Sequence, residues 1–250
     1  MPITERYKTQ NPPEFDKRIY VIGDVHGRYD LLSKIFKQIK QDLKERPCQK
    51  SKLVMLGDYI DRGPKSKQVI ELLSKSPLTG HEVICLRGNH EDMLLKFLNK
   101  TGKADTWLKN GGCETLKSYG VDVRPSSNQF FSRDKIKTAR NNLLANMPFS
   151  HIRFINNLIF FYQDSNYFFV HAGVRPGVSL SNQSSRDMLW IREKFINSKT
   201  NFGKIIVHGH TPTEKPEIFF NRIGIDTGAW KSNILTCLVL EGPKRRFLMT

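Results

Sequence analysis

Three short polar segments follow three apolar runs in the first hundred residues, and this rhythm constrains the fold more than any other feature. The apolar runs are Arg18–Ile22, Leu53–Leu56 and Val83–Leu86. The polar segments that follow them are Gly23–Gly27 (GDVHG), Gly57–Gly63 (GDYIDRG) and Gly88–Glu91 (GNHE). Each precedes a helical pattern, and strand, turn and helix repeated three times predict βαβ units with a mainly parallel sheet.

The residue types in these segments indicate a metal site. Carboxylates, imidazoles and an amide are delivered to the carboxyl edge of one sheet, where open α/β folds place their sites. Two further histidine segments lie downstream, His171–Gly173 and Gly209–Pro212. Oxygen and nitrogen donors gathered in this way suit a pair of divalent ions that clamp and attack a phosphate ester. For any one residue alone, helix capping is the simpler explanation; the whole set in order favours metal binding.

The rest of the chain predicts a second, strand-rich half. Residues 100–157 read as a helical insertion beside the site, and Leu158–Tyr162 with Tyr167–Val170 as a hairpin. Further strands are expected near Lys204–Val207, Ile218–Ile225 and Leu235–Leu240, with Arg246–Met249 a possible last one. Two packed sheets with helices outside follow. We expect a flexible arm over residues 1–17 and a single catalytic domain over residues 18–250.

Composition narrows the class of protein. No apolar stretch approaches the roughly 18 residues needed to cross a bilayer, and the polar start of the chain lacks the apolar centre of a secretion signal. The four cysteines form no CxxC pair, which favours a reducing, cytoplasmic setting. The net charge of +16 is spread widely, with lysines on outer helix faces and no nucleic-acid module. We expect a basic solvated surface and a monomer.

In their order along the chain, these motifs resemble the metallophosphoesterase superfamily. Within it the chain is similar to the phosphoprotein-phosphatase branch, which holds bacterial, phage and eukaryotic serine/threonine phosphatases and bacterial symmetrical diadenosine tetraphosphatases. The resemblance runs from about Ile19 to Leu240, nearly the whole chain. It implies an α/β fold of the four-layer α/β/β/α sandwich type, with two mixed sheets.

The resemblance also implies the ligands of two divalent metal ions. One ion would be held by Asp24, His26 and Asp58, and the other by Asp58, Asn89, His171 and His210. Asp58 would bridge them, because a carboxylate has two oxygens to share. Three histidines with carboxylates and no thiolate favour manganese, iron or zinc, with manganese expected. His208 precedes the family ligand position and is expected to be a buried or supporting histidine.

Four more residues acquire roles by the same resemblance. His90 would protonate the departing oxygen, and Asp61 would orient and charge that imidazole, although Asp61 could instead be a turn residue. Arg62 and Arg192 would grip the phosphoryl oxygens, as guanidinium forks do. Arg175 could reach the cleft or belong to the surface. The Asp226–Gly228 segment is expected to support the site through hydrogen bonds.

The predicted reaction is hydrolysis of a phosphoric ester by a hydroxide that two ions about 3.5–4 Å apart activate. The leading substrate is a phosphoserine or phosphothreonine protein. Symmetrical cleavage of diadenosine polyphosphates is the alternative and would need a base-stacking pocket, with Trp107, Tyr119 or Trp230 as candidates, although such aromatic residues more often belong to the core. A catalytically dead nucleic-acid-binding module is the third hypothesis, and salt-dependent binding without turnover would favour it.

Overall fold

The computed structural model describes residues 17–78, 80–124 and 131–250. The predicted N-terminal arm lies outside the described residues except for Lys17, which is the first residue of the first strand. The strands within these ranges are β1 (Lys17–Ile22), β2 (Lys50–Met55), β3 (Glu82–Cys85), β4 (Phe161–Asp164), β5 (Tyr167–Val170), β6 (Ile205–His208), β7 (Glu217–Ile218), β8 (Arg222–Gly224), β9 (Thr236–Glu241) and β10 (Lys244–Met249).

Helices occupy the connections between the strands. They are α1 (Tyr29–Glu45), α2 (Ser66–Ser74), α3 (Asn89–Leu98), α4 (Ala104–Trp107), α5 (Cys113–Ser118), α6 (Arg133–Asn146), α7 (Phe149–Asn156), α8 (Ser185–Trp190), α9 (Glu193–Ile196) and α10 (Ala229–Ser232), with a π turn at Leu108–Gly112 and a 3₁₀ turn at Leu180–Asn182. Helices α4 to α7 confirm the predicted helical insertion after α3.

The strands form two five-stranded mixed sheets. The first has the order β10-β9-β1-β2-β3, with β1, β2 and β3 parallel and β9 antiparallel to β1. The second has the order β4-β5-β6-β8-β7, with β5, β6 and β8 parallel. The predicted strand over Ile218–Ile225 is wrong in detail: it is a tight antiparallel hairpin of β7 and β8, because the chain turns back after Ile218.

Alternating side chains on β1 show how the layers stack. Tyr20 and Ile22 point into a core shared with α1, α2 and α3, whereas Ile19 and Val21 pack in a second core between the two sheets. A third core lies on the outer face of the second sheet, against α8 and α9. Because successive side chains on a strand point to opposite faces, one strand contributes to two apolar cores. The four structural layers are, in order, helix, sheet, sheet and helix. This confirms the predicted sandwich.

Helix α1 shows why the sequence folds this way locally. Its apolar positions recur at helical spacing and are buried, whereas its lysines face outward. In the described part of the chain, no helix is both long and apolar enough to cross a membrane. No disulfide joins the four cysteines, all of which lie within the described ranges.

Candidate metal centre

Loops from both sheets converge on one polar site. Asp24 and His26 follow β1, Asp58 follows β2, and Asn89 opens α3 after β3. The other two predicted ligands come from the second sheet, where His171 directly follows β5 and His210 follows β6 by two residues. All six residues are buried. The site therefore lies at the carboxyl ends of parallel strands in both sheets, as such folds place it.

Asp58 lies at the centre of the cluster. Its Oδ2 is 3.5 Å from Nε2 of His26, and its Oδ1 is 3.5 Å from Nε2 of His171. Two groups of potential ligands share this carboxylate, with ligand atoms within 4.8 Å of one another: His26, Asp58 and His90 in one group, and Asp58, His171 and His210 in the other. One carboxylate between two imidazole groups is the arrangement that a bridging ligand requires.

Backbone carbonyls set the tautomers of two of these histidines. Nδ1 of His26 donates to the Ile60 carbonyl at 2.9 Å, and Nδ1 of His171 donates to the Leu56 carbonyl at 3.0 Å. A carbonyl oxygen can only accept, so Nδ1 carries the hydrogen in both rings and Nε2 presents its lone pair toward Asp58. Metal-binding histidines are oriented in the same way.

The other predicted ligands, Asn89, His210 and Asp24, also have oxygen or nitrogen lone pairs available in the site. Oδ1 of Asn89 lies 2.8 Å from Nε2 of His171, so two acceptor atoms are in contact. Nε2 of His210 is buried and has no hydrogen-bond partner among the described residues. The carboxylate of Asp24 accepts from the His210 backbone N–H at 3.1 Å. Lone pairs directed at one another in a buried site fit bound cations, so these residues suit the two divalent ions.

The charges of the cluster lead to the same conclusion. Burial raises the pKa of Asp24 well above its usual range, and repulsion from Asp226 and Asp58 adds to this. Burial also opposes the charge on Asp58, but the surrounding histidines outweigh it and hold the pKa of Asp58 below its ordinary value. Burial lowers the pKa of His26 to about 3 and that of His210 to about 2, so both rings are neutral at pH 7. Neutral imidazoles beside crowded carboxylates favour cations.

The backbone at the site is held in an uncommon conformation. Five residues there have positive φ although none is glycine: His26, Asp58, Asp61, Arg62 and His210. Such conformations cost on the order of 1–3 kcal/mol each and persist only where the surroundings determine them. Glycine is needed where the loops touch: a Cβ on Gly88 would lie 2.1 Å from Oδ1 of Asp58, and one on Gly209 would lie 2.0 Å from Oδ1 of Asp24.

His90 and Asp61 form a buried pair beside the two ligand groups. Nδ1 of His90 donates to Oδ2 of Asp61 at 2.6 Å, and Nε2 lies 3.8 Å from Oδ2 of Asp58. Burial disfavours the charged imidazole, but Asp58 and Asp61 outweigh it and raise the pKa of His90. The arrangement can therefore hold a protonated imidazole with its Nε2–H directed into the site.

The two predicted phosphate-binding arginines are close enough to act on the site electrostatically. Burial is the main cause of the raised pKa of Asp24 and the lowered pKa values of His171 and His210; the positive charge of Arg62 partly offsets the first shift, and that of Arg192 adds to the other two. Nη2 of Arg62 lies 3.3 Å from Nε2 of His90, and its guanidinium lies 5.2 Å from the centre of the Trp230 ring. Two guanidinium groups beside the cluster add the positive charge that phosphoryl oxygens require.

The structure separates three residues from the ligand set. His208 is buried, with its ring centre 5.0 Å from that of Phe195 in an edge-to-face arrangement, and its Nδ1 donates to the Gly209 carbonyl. Arg175 forms two hydrogen bonds with the Asp187 carboxylate, at 2.8 and 2.5 Å, so it is paired on the surface. Burial raises the pKa of Asp226 to about 6, and its Oδ1 accepts from the Gly228 N–H, which fits the predicted supporting role.

Sequence reasoning missed Glu91. This residue is fully buried, and its carboxylate accepts hydrogen bonds from the backbone N–H groups of Asp58 (2.9 Å), Tyr59 (2.8 Å) and Gly88 (3.0 Å). It thereby ties the Asp58 loop to the start of α3. A glutamate three residues after the glycine that precedes a helix is a capping signal, and this signal could have identified Glu91 from the sequence.

The base-stacking candidates divide into two kinds. Trp107 and Tyr119 are buried, so that prediction is wrong for them; Nε1 of Trp107 donates to Asp61 Oδ2 at 2.9 Å instead. Trp230 is 42% exposed and lies against Arg62. Trp190, which the sequence did not suggest for this role, is 41% exposed, with its ring 6.1 Å from that of His210. Two exposed indoles therefore border the site.

Known proteins resemble the chain over almost its whole length. The family model for calcineurin-like phosphoesterases matches residues 17–230. Serine/threonine-protein phosphatase 2 of Escherichia coli K12 is 29% identical, covering 94% of this chain and 98% of that protein. The asymmetrical bis(5'-nucleosyl)-tetraphosphatase PrpE of Bacillus cereus Q1 is 27% identical, with 87% and 88% covered. A crystal structure of a protein described provisionally as a diadenosine tetraphosphatase superimposes with a TM-score of 0.64 at 17% identity, with 95% of each chain covered.

Proposed function

The chain belongs to the calcineurin-like phosphoesterase family, a family of phosphoric ester hydrolases with a dinuclear divalent metal centre, and we propose that it dephosphorylates phosphoserine and phosphothreonine in proteins. The observation that carries the proposal is Asp58, one carboxylate shared by two groups of ligands, with the His90–Asp61 pair alongside. A site that grips only the phosphoryl group leaves the rest of the substrate loosely specified, which suits varied protein substrates.

We assign the two ions to the residues that the sequence indicated. Asp24, His26 and Asp58 would hold one, and Asp58, Asn89, His171 and His210 the other. The chemistry that divalent ions supply here, when bound, is the acidification of water and the neutralisation of phosphoryl oxygens. Nitrogen and oxygen donors without a thiolate favour manganese, with iron or zinc as alternatives.

The side chains of the protein complete the reaction. Arg62 and Arg192 bind the equatorial phosphoryl oxygens and orient the ester. As the water oxygen bonds to phosphorus, it gives up one proton to the solvent. The phosphorus–ester oxygen bond breaks, and the ester oxygen leaves with the proton from Nε2 of His90, which a proton from the solvent later replaces. Asp61 holds Nδ1 of His90 at 2.6 Å and so keeps the ring protonated and oriented. The products are the free hydroxyl side chain and inorganic phosphate.

The two exposed indoles favour a second candidate substrate, a dinucleoside tetraphosphate. Trp190 and Trp230 border the site, and flat aromatic faces stack well on nucleobases. Trp230→Ala should then lower kcat/KM for diadenosine tetraphosphate about tenfold or more, while changing that for a phosphoserine peptide little. Equal losses on both substrates would remove the argument for base stacking.

A substrate panel decides between the two candidates. Manganese-loaded enzyme would be assayed on phosphoserine, phosphothreonine and phosphotyrosine peptides and on diadenosine tetraphosphate, with Asp58→Asn as the inactive control. We expect the highest kcat/KM on the phosphoserine or phosphothreonine peptide. A higher value on diadenosine tetraphosphate would contradict the proposal, and its products would then locate the cleavage: two ADP molecules for symmetrical attack, ATP and AMP for asymmetrical attack.

The setting of the enzyme is also a proposal. We propose that the protein is a monomer and that it works in the reducing cytoplasm; the lack of a disulfide among its four cysteines, all within the described residues, supports the second point. Burial raises the pKa of the Cys85 thiol to about 12, so this side chain is protonated and unreactive at neutral pH.

A further inference from the structure

The helical insertion contacts the site through Asp61. Asp61 is fully buried, and both of its carboxylate oxygens have partners from this insertion. Nε1 of Trp107, the last residue of α4, donates to Oδ2 at 2.9 Å, and Oγ1 of Thr115, in α5, donates to Oδ1 at 2.6 Å. Oδ2 is the same atom that receives Nδ1 of His90. The carboxylate therefore has one donor on each oxygen that is independent of His90.

The backbone of the same segment is also tied to the insertion. The Asp61 N–H donates to Oγ1 of Thr115 at 2.9 Å, and the Arg62 N–H donates to the Gly111 carbonyl at 3.3 Å. Asp61 and Arg62 have φ values of 72° and 65°, a conformation that needs external support. The insertion provides contacts to both residues.

Two glycines allow this close packing. A Cβ on Gly111 would lie 2.6 Å from the backbone nitrogen of Arg62, and Gly111 has φ of 109°. A Cβ on Gly112 would lie 2.6 Å from the indole of Trp107. The π turn that contains both glycines thus fits between the Asp61 loop and the indole. The indole itself packs on Phe97 with ring centres 4.6 Å apart, which restricts its rotation.

We propose that Trp107 and Thr115 are positioning residues for proton delivery by His90, and that they act by holding the Asp61 carboxylate in one orientation. The inference rests on the proposed function, in which His90 is the proton donor. The metal-ligand loops come from the strands of the two sheets, whereas this support comes from an insertion. The insertion should therefore control the departure of the leaving group without controlling metal binding.

Leaving groups provide the test. A serine alkoxide departs poorly unless protonated, whereas p-nitrophenolate departs readily by itself, so a defect in proton delivery slows only the first. Trp107→Phe and Thr115→Val should lower kcat for a phosphoserine peptide about tenfold, with little change for p-nitrophenyl phosphate, in KM or in metal content. Thr115→Ser keeps the hydroxyl and should restore most of the rate.

A matched control lies in the same insertion. Tyr119 is buried, and its hydroxyl bonds to Nδ1 of His151 at 2.8 Å, without contact to Asp61. Tyr119→Phe removes a buried hydrogen bond just as Trp107→Phe does, and it should produce no leaving-group bias. A bias in this control as large as that in Trp107→Phe would mean that loosening the insertion in general suffices, and the proposal would fall.

A double-mutant cycle separates this proposal from the proposed function. His90→Asn alone should slow the phosphoserine peptide by about 10²–10⁴-fold more than the aryl ester. In the His90→Asn background, Trp107→Phe should cause no further selective loss, because its effect passes through His90. If His90→Asn shows no bias, the proton-donor assignment fails. If it shows the bias and Trp107→Phe does not, only the positioning role fails.

A readout without activity comes from the three tryptophans of the chain. In metal-free protein, the indole N–H resonance lost in Trp107→Phe should exchange with solvent far more slowly than those of the half-exposed Trp190 and Trp230. The same resonance should shift in Asp61→Asn. An indole hydrogen that exchanges as fast as the other two, or that ignores Asp61→Asn, would overturn the proposal.

Discussion

Strand β1 begins in one buried cluster of charged residues and ends in another. Opposite charges are paired in the first cluster, whereas like charges are crowded in the second. At its amino end, Arg18 donates to Asp42 Oδ2 at 3.3 Å and to Glu241 Oε1 at 2.8 Å. Tyr20 and Arg246 also donate to Asp42. Each buried charge there faces its opposite, and the pKa of Asp42 lies below its usual value because these donors outweigh burial.

At the carboxyl end of the same strand, charges of one sign are crowded. Asp24 is repelled by Asp226 and Asp58, and His26 and His210 are neutral rather than positive. The backbone is also strained there, at His26 among other residues. The amino end is thus balanced by the protein's own residues, whereas the carboxyl end leaves crowded carboxylates that a cationic ligand would balance. We therefore expect the first cluster to matter for stability and the second for function.

The largest expected effect is at the carboxyl end. Asp58→Asn should lower activity by roughly 10³-fold or more and remove at least one equivalent of metal, because Asp58 belongs to both groups of potential ligands among the described residues. Elemental analysis and steady-state kinetics measure the two effects. Full metal content with near-normal turnover would mean that Asp58 does not bridge.

The matched substitution at the amino end should affect stability instead. Asp42→Asn leaves Arg18 and Arg246 without their shared carboxylate and should lower the free energy of unfolding by about 3 kcal/mol, with normal metal content and kcat. Asp30→Asn is the control, since that carboxylate belongs to the same helix but is 47% exposed, and its loss should change stability by less than about 1 kcal/mol.

The Asp42 effect should depend on pH in a defined direction. The folded-state pKa of Asp42 is lowered, so its contribution is complete above the unfolded pKa of about 3.9 and is lost as pH falls through the folded pKa. Urea unfolding of metal-free protein should therefore show a constant difference between wild type and Asp42→Asn from pH 7 to 5. That difference should shrink below about pH 4, and a difference that grows on acidification would contradict the assignment.

The histidine segment around Gly209–Pro212 allows two histidines, two positions apart, to be compared. His210→Ala should weaken metal binding by about 10- to 100-fold, whereas His208→Ala should leave it within a few-fold, because His208 packs on Phe195 away from the ligand groups. Calorimetric titration of manganese into metal-free protein measures both. Reversed effects would shift the ligand assignment by two residues.

The smallest expected effect is the stabilisation by metal itself. At a free manganese concentration of ten times Kd, each bound ion should raise the unfolding free energy by about 1.4 kcal/mol. Asp42→Asn should keep this increment and Asp58→Asn should lose it. An increment that survives in Asp58→Asn would place the stabilising ion elsewhere in the protein.

Much of the fold and of the ligand set could be predicted because both depend on local pattern. The first three strands were placed within a few residues, since apolar runs bounded by glycine-rich turns are typical of buried strands. The six ligands were predicted from their order along the chain; the structure buries all six, groups His26, Asp58, His171 and His210, and places Asn89 and Asp24 in contact with His171 and His210. The hairpin of β7 and β8 was read as one strand because two short strands and a tight turn have the apolar composition of one longer strand.

The order of strands, turns and helices, and the residue types at the carboxyl ends of the strands, can be read from the chain alone, because strand periodicity and turn chemistry act over a few neighbouring residues. Which polar atoms meet across distant segments depends instead on the packing of the folded chain. Glu91 bonds the Asp58 loop, Trp107 bonds Asp61 rather than a base, and Arg18 is paired across the chain with Glu241. The residues in these contacts are 33, 46 and 223 positions apart along the chain. Such pairings are set by the packing of layers, which a pattern over a few neighbouring residues cannot predict.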